Sequence, residues 1–315
     1  MRCLALAQAW QDAGGTAIFA LASATPSLLA RLCAEKFEHA CIAATAGSLQ
    51  DAEYTAELGR SRSAKWIVLD GYAFDASYQE RLRTSGAKLL LISDSGGSQF
   101  HAADVLLNQN SNASEDLYLS RSAKTYLLLG TQFVLLRREF RRWIHWERSV
   151  PPIAQHVLVT LGGSDPTSLS GEIMQTGSFS GVKTTFLFGG SACEPPDCHR
   201  SSDVVVSKDH PDPASIMARS DLTVICGGGT LWESLFMGCA TLSYTRNVVQ
   251  DKILRQLHDV GAVHCLGRIE DFNRQSLALA VAEITSSEAR RKSMAMAGRQ
   301  IVDGRGTERV LRALA

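Results

Sequence analysis

The sequence holds no apolar stretch near the roughly 20 residues a membrane-spanning helix needs. Its best candidate, Tyr126–Leu136, is interrupted by Gly130, Thr131 and Gln132 and then met by Arg137 and Arg138. Nor is there a net charge, since 32 Lys+Arg balance 32 Asp+Glu. A neutral chain has no general electrostatic pull toward nucleic acid or an anionic membrane. Neither kind of partner is expected. Cysteine is scarce, eight in 315 residues, too few for a disulfide scaffold. Cys3, Cys33, Cys41, Cys226 and Cys265 sit in apolar stretches and read as small core residues. Cys193, Cys198 and His199 share a proline-containing loop, but no second ligand pair lies at zinc-like spacing. No metal or other cofactor is expected. A G-x-S-x-G elbow and an H-E-x-x-H helix are also absent. At the amino end, Gln8, Gln11 and Asp12 break the apolar core a signal peptide would need. That segment reads as an amphipathic helix with Leu4, Ala7 and Trp10 on one face, and the cytoplasm is the expected compartment.

What is present is alternation. Short apolar strands are expected at 16–21, 39–43, 65–70, 88–92, 104–107 and 126–129, with helices between them over 25–36, 49–60 and 76–85. The pattern restarts after Pro151-Pro152, with strands at 155–161, 182–188, 203–206 and 221–226. Helices are expected at 213–219, 230–237, 249–260, 273–285, 288–298 and 304–315. Strands alternating with helices predict parallel sheets covered on both faces. The reading is two doubly wound, Rossmann-like α/β domains facing a cleft, residues 1–148 and 149–315, with the last helix a candidate to pack back on the first domain. One oddity stands out. In such a sheet the first strand lies centrally and its helix follows it, yet here the helix comes first. A strand is expected to be missing beside 16–21 and 65–70. The basic run Arg137–Arg142 carries Glu139 and Phe140 within it, so a solvated helix face is favoured over an RNA contact.

The sharpest local feature is strand 221–226 running into Gly227-Gly228-Gly229 and then Thr230-Leu231-Trp232-Glu233. A glycine turn at a helix amino end offers free N–H groups and the positive dipole end to an anion. The alternative is a plain tight turn closed by a capping box, because Thr230 and Glu233 fit S/T-x-x-E. A second turn, Gly162-Gly163-Ser164-Asp165, ends the domain's first strand, where α/β ligands bind. It reads equally well as an ordinary turn. Asp70, Tyr72 and Asp94 end first-domain strands and should reach the cleft. His210, in the loop Asp209–Asp212, is placed to touch a ligand. The remaining histidines read as structural.

Five strings in register, spanning nearly the whole chain, carry a resemblance: Met1–Ala7, Asp70–Tyr72, Asp104–Asn110, Leu128–Phe140 and Val157–Pro166. Together they resemble the UDP-2,4-diacetamido-2,4,6-trideoxy-β-L-altropyranose hydrolases of pseudaminic acid biosynthesis. That family is in turn similar to the GT-B glycosyltransferase that adds N-acetylglucosamine to lipid I. The resemblance implies a GT-B fold with UDP held mainly by the carboxyl-terminal domain, and a UDP-sugar as substrate. Gly227, Gly228, Gly229 and Thr230 would cradle the diphosphate and Glu233 the ribose. His210 and Ile216 would border the uracil, and Gly162 and Gly163 would line the opposite wall. Tyr72 and Asp94 would face the sugar as the catalytic side. The family's general-base histidine would precede Met1 and is not in the chain. Where the family places Asn-Gln the chain has Val249-Gln250, so Gln250 carries over, with Asn247 as a candidate substitute. The alternatives to a hydrolase are a GT-B glycosyltransferase and a catalytically impaired UDP-sugar binding protein.

Overall fold

The computed structural model describes residues 1–96, 100–163, 169–179, 181–190 and 202–315. Ser164, Asp165 and Pro166 of the second glycine turn, and the Cys193, Cys198 and His199 loop, fall outside the described residues. The chain divides into two compact units, Met1–Arg137 with Arg305–Ala315, and Arg138–Gly304. The division falls ahead of the double proline. Buried Phe140 and the ion pair of Arg142 with Asp212 tie the intervening segment to the second unit. The basic run is therefore anchored by its own Glu139 and Phe140, both buried, and is not a freely solvated face.

The first unit holds α1 (Arg2–Asp12), β1 (Ile18–Leu21), α2 (Pro26–Ala34), β2 (Glu38–Cys41), α3 (Leu49–Ser61) and β3 (Trp66–Asp70). After these come α4 (Ala76–Arg83), β4 (Lys88–Ile92), β5 (Val105–Asn108) and β6 (Tyr126–Leu129). Helix starts follow the sequence closely. Thr25, Ser48 and Asp75 accept the N–H groups of Leu28, Asp51 and Tyr78, and Pro26 supplies the preset φ of a first helical residue. All strand pairs are parallel. They form two separate sheets, β1-β2 and β3-β4-β5-β6. Alternate side chains point to opposite faces. Leu90, Ile92, Val105 and Leu107 pack with Ala5 and Leu6 of α1 on one face. Leu89, Leu91 and Leu106 pack with Ala52 and Ala56 of α3 on the other. The last helix, α12 (Gly306–Leu314), adds Val310 and Leu314 to the first of these cores.

In the second unit, α5 (Arg138–Arg141) leads to β7 (His156–Thr160), α6 (Leu169–Met174), β8 (Lys183–Phe188), β9 (Val204–Lys208) and α7 (Pro213–Arg219). Next are β10 (Leu222–Cys226), α8 (Gly229–Phe236), β11 (Ala240–Thr245), α9 (Val248–Asp259), β12 (His264–Arg268), α10 (Arg274–Ser286) and α11 (Glu288–Ile301). One parallel sheet runs β12-β11-β10-β7-β8-β9. In order of appearance this is 6-5-4-1-2-3, the doubly wound arrangement with its switch point between β7 and β10. A ligand crevice is expected at the carboxyl ends of those two strands. Strand β12 and helix α6 were not foreseen. Each is short, and β12 carries His264, Gly267 and Arg268 in a register that shifts against β11.

Candidate functional site

The glycine turns at the switch point meet. Gly162, directly beyond β7, has φ +92, and a Cβ placed on it would stand 3.8 Å from the Thr230 hydroxyl of α8. A Cβ on Gly189, beyond β8, would stand 2.5 Å from the Cα of Gly163. A side chain at Gly189 would push its turn off Gly163, whereas one at Gly162 would make ordinary contact with Thr230. Gly162 thus faces Thr230, and Gly163 faces Gly189, at the carboxyl ends of β7 and β8.

Helix α8 is the centre of the arrangement. Its N-cap is Gly228, at φ +100 and ψ −154, a conformation open essentially to glycine alone. Gly228 makes no side-chain cap bond, so the Thr230–Glu233 capping box does not form. Thr230 lies inside the first turn instead. The contrast with α7, α9, α10 and α11 is informative, because Asp212, Asn247, Asn273 and Ser287 cap those helices through their side chains. The opposite end of α8 is well compensated. Arg299 donates to Phe236 O at 2.7 Å and Arg148 to Met237 O at 2.9 Å. A helix dipole balanced by cations at its carboxyl end and left without a side-chain cap at its amino end favours an anion there. Cβ atoms added to Gly228 or Gly229 would meet nothing within 4 Å. Among the described residues, the amino end is open space.

Burial holds α8 in place. The hydroxyls of Thr223 (β10), Ser234 (α8) and Thr241 (β11) are joined at 2.7 and 2.9 Å in a fully buried cluster. Gly298 of α11 lets that helix approach so closely that an added Cβ would lie 3.1 Å from Leu235 O. The helix end is thereby fixed before any ligand arrives.

One residue was missed by sequence reasoning. Arg246 directly follows β11, and its Nη2 donates to Leu161 O at 2.6 Å, beyond the end of β7. Since β10 lies between those strands, the guanidinium crosses the end of β10, at the root of the triple glycine. The readable signal was a basic residue closing the strand next to the glycine strand. Gln250 is placed beside it. Its Oε1 accepts the Arg246 N–H at 2.9 Å, and a Cβ on Gly227 would lie 3.0 Å from its amide. Asn247 Oδ1 accepts the Gln250 N–H at 3.0 Å as the cap of α9.

The remaining expected site residues lie on several other elements. Ile216 is buried on α7 and Glu233 is buried on α8. His210 turns its Nδ1 to the Asp212 N–H at 3.1 Å, shaping the loop before α7. In the first unit, Arg2 donates to Asp70 Oδ1 and to Asp94 Oδ1, each at 2.5 Å, and Asn110 donates to Asp94 Oδ1 at 2.8 Å. Burial alone would lower the Arg2 pKa, but its bonds and charge interactions with Asp70 and Asp94 raise it. Tyr72 is exposed, with its hydroxyl 3.4 Å from Asp94 Oδ2. Asp94 is thus held as an ion-pair partner of Arg2. Among the described residues, no group of three or more His, Cys, Asp or Glu could hold a metal ion. No helix among them is long and apolar enough to cross a membrane.

This two-domain α/β architecture of parallel sheets and helices is the GT-B fold. The spinosyn forosaminyltransferase SpnP superposes with a TM-score of 0.68 over 99% of this chain and 95% of its own, at 12% identity. The S. aureus MnaA–UDP co-structure superposes at 0.65 over 98% and 91%, also at 12% identity. No protein-family model matches the chain. In sequence, the chain is similar to the spore coat polysaccharide biosynthesis protein SpsG of Bacillus subtilis (strain 168). The two are 23% identical over 272 residues, 83% of this chain and 79% of SpsG.

Proposed function

We propose that the chain is a nucleotide-sugar enzyme that holds UDP at the carboxyl ends of β7 and β10 and releases it from a UDP-linked 2,4-diacetamido-2,4,6-trideoxy sugar by hydrolysis. The observation that carries the nucleotide assignment is the amino end of α8, which has no side-chain cap and opens from three glycines at the switch point. The Gly228–Thr230 backbone would receive the diphosphate, with Arg246 supplying the positive charge beneath it. The MnaA–UDP neighbour and the SpsG relative, by their names, support a nucleotide ligand and a role in polysaccharide synthesis. In the reaction one water is consumed: its hydroxyl ends on the sugar, its proton passes to solvent, and UDP leaves with the bonding pair. The second reading is a glycosyltransferase, favoured by the likeness to SpnP. Product analysis separates the two. UDP and free sugar formed without an acceptor support hydrolysis, whereas UDP release that depends wholly on an added acceptor alcohol overturns it.

A further inference from the structure

The first turn of α9 is held in place by polar contacts. The buried residues of α9 are Ile253, Leu254 and Leu257, all beyond that turn. Val248 is exposed, and Val249 and Gln250 are half-buried. Yet this turn carries Gln250, whose Oε1 accepts the Arg246 N–H and whose amide lies against Gly227. Apolar packing fixes the later turns of the helix. The first turn needs another anchor.

Asp251, the residue after Gln250, supplies one. Its Oδ1 accepts a hydrogen bond from the buried hydroxyl of Thr245, the last residue of β11. Its Oδ2 lies 3.1 Å from Nε of Arg268, the last residue of β12. Two strand ends thus hold one carboxylate. Glu270 Oε2 stands farther from the Arg268 guanidinium, at 3.9 Å.

Arg268 reaches Asp251 because β12 is bulged. Against β11 the register runs Leu242 with His264 and Ser243 with Cys265, then Thr245 with Arg268. Tyr244 of β11 therefore stands opposite two residues of β12, Leu266 and Gly267. Unbroken pairing would set Gly267 opposite Thr245 and turn Arg268 to the other face, because a one-residue slip exchanges the faces. Gly267 has φ +90, a conformation for which bulges use glycine. A Cβ there would meet nothing within 4 Å, so the backbone conformation, not crowding, asks for glycine. Bulges that re-aim one side chain are over-represented next to active sites.

We infer that Asp251 is a positioning residue of the nucleotide site. Bridged between Thr245 and Arg268, it fixes the first turn of α9 and with it Gln250, which in turn holds the Arg246 peptide and the root of the triple glycine. The inference rests on the diphosphate reading given above. Asp251 acts on the ligand only through Gln250 and Arg246. A partly exposed ion pair adds little to overall stability, so its effect is expected in binding.

UDP titration tests it, at a temperature where melting curves show every variant folded. Asp251→Ala and Arg268→Gln should each weaken UDP binding about tenfold and leave uridine affinity unchanged. The double variant should lose no more than the larger single loss, since both changes release the same contact. Arg268→Lys, which restores a cation, should recover most of the affinity that Arg268→Gln loses. Unchanged UDP affinity in Asp251→Ala overturns the inference, as do equal losses for UDP and uridine, or additive losses in the double variant. Should Asp251→Ala fail to fold, Arg268→Gln, altered at a half-exposed side chain, decides by the same criteria. Arg246→Gln separates this inference from the reading beneath it. UDP affinity lost in Arg246→Gln but kept in Asp251→Ala refutes the positioning role alone, whereas an unaltered protein that does not bind UDP refutes both.

Discussion

Gly229→Ala separates the anion site from the stability of the fold. Gly229 is the first residue of α8, its φ is not positive, and a Cβ there meets nothing within 4 Å. Alanine is favoured over glycine within helices by about 0.5–1 kcal/mol, so the melting temperature should hold or rise slightly. The new methyl would nevertheless stand in the open space before the helix end, where a diphosphate would approach the N–H groups. Losing one hydrogen bond to a charged group costs about 1.5–3 kcal/mol, which at about 1.4 kcal/mol per tenfold is a loss of roughly 10–100-fold in affinity. Gly228→Ala is the paired control. At φ +100 and ψ −154 it adds backbone strain of about 1–3 kcal/mol, so it should weaken both stability and binding. Isothermal titration with UDP, and with uridine as the ligand lacking phosphates, reads the difference. A Gly229→Ala protein with unchanged melting and unchanged UDP affinity would refute the placement of the diphosphate at α8.

Arg246→Gln should reduce UDP affinity about tenfold, the scale of one charge-assisted bond, and leave uridine binding unaltered; equal losses for both ligands would contradict the phosphate role. Arg148→Met should destabilise the second unit by about 3 kcal/mol, since the carbonyls of Met217, Ser220 and Met237 lose a common donor. Calorimetry should show a fall of roughly 6–12 °C in Tm. Burial holds the His264 imidazole below its ordinary 6.5, with His258 and Arg290 adding to the effect and Glu283 opposing it. The unfolded chain then binds more protons just below pH 6.5, so stability should fall as pH drops through that window. In paired melts at pH 7.5 and 5.5, His264→Gln should lose less stability on acidification than the unaltered protein.

Much of this was legible because the strands are short apolar runs with periods that admit few other readings. Lys88–Ile92 and Leu222–Cys226 fall where the residues place them, and two doubly wound α/β domains follow from the alternation. The site was harder to read, because which group caps a helix is decided by backbone conformation. Thr230 and Glu233 fit a capping box, but the N-cap falls at Gly228, two residues earlier, and leaves the box unformed. Ile216 and Glu233 are buried by packing of α7 and α8 that no local pattern specifies. Arg246 acts across two strands, and such a reach depends on sheet order. The Arg2 clamp on Asp70 and Asp94 joins residues far apart in sequence, which hydrophobic periodicity does not report.

The most direct test of the central claim is a UDP titration followed residue by residue in amide NMR. The account predicts that the largest shifts fall on Gly228, Gly229, Thr230 and Arg246, with Gly162 and Gly163 following, and that the Arg246 guanidinium signal moves with the same dissociation constant. Saturable UDP binding that leaves those amides unmoved while shifting residues elsewhere would contradict it.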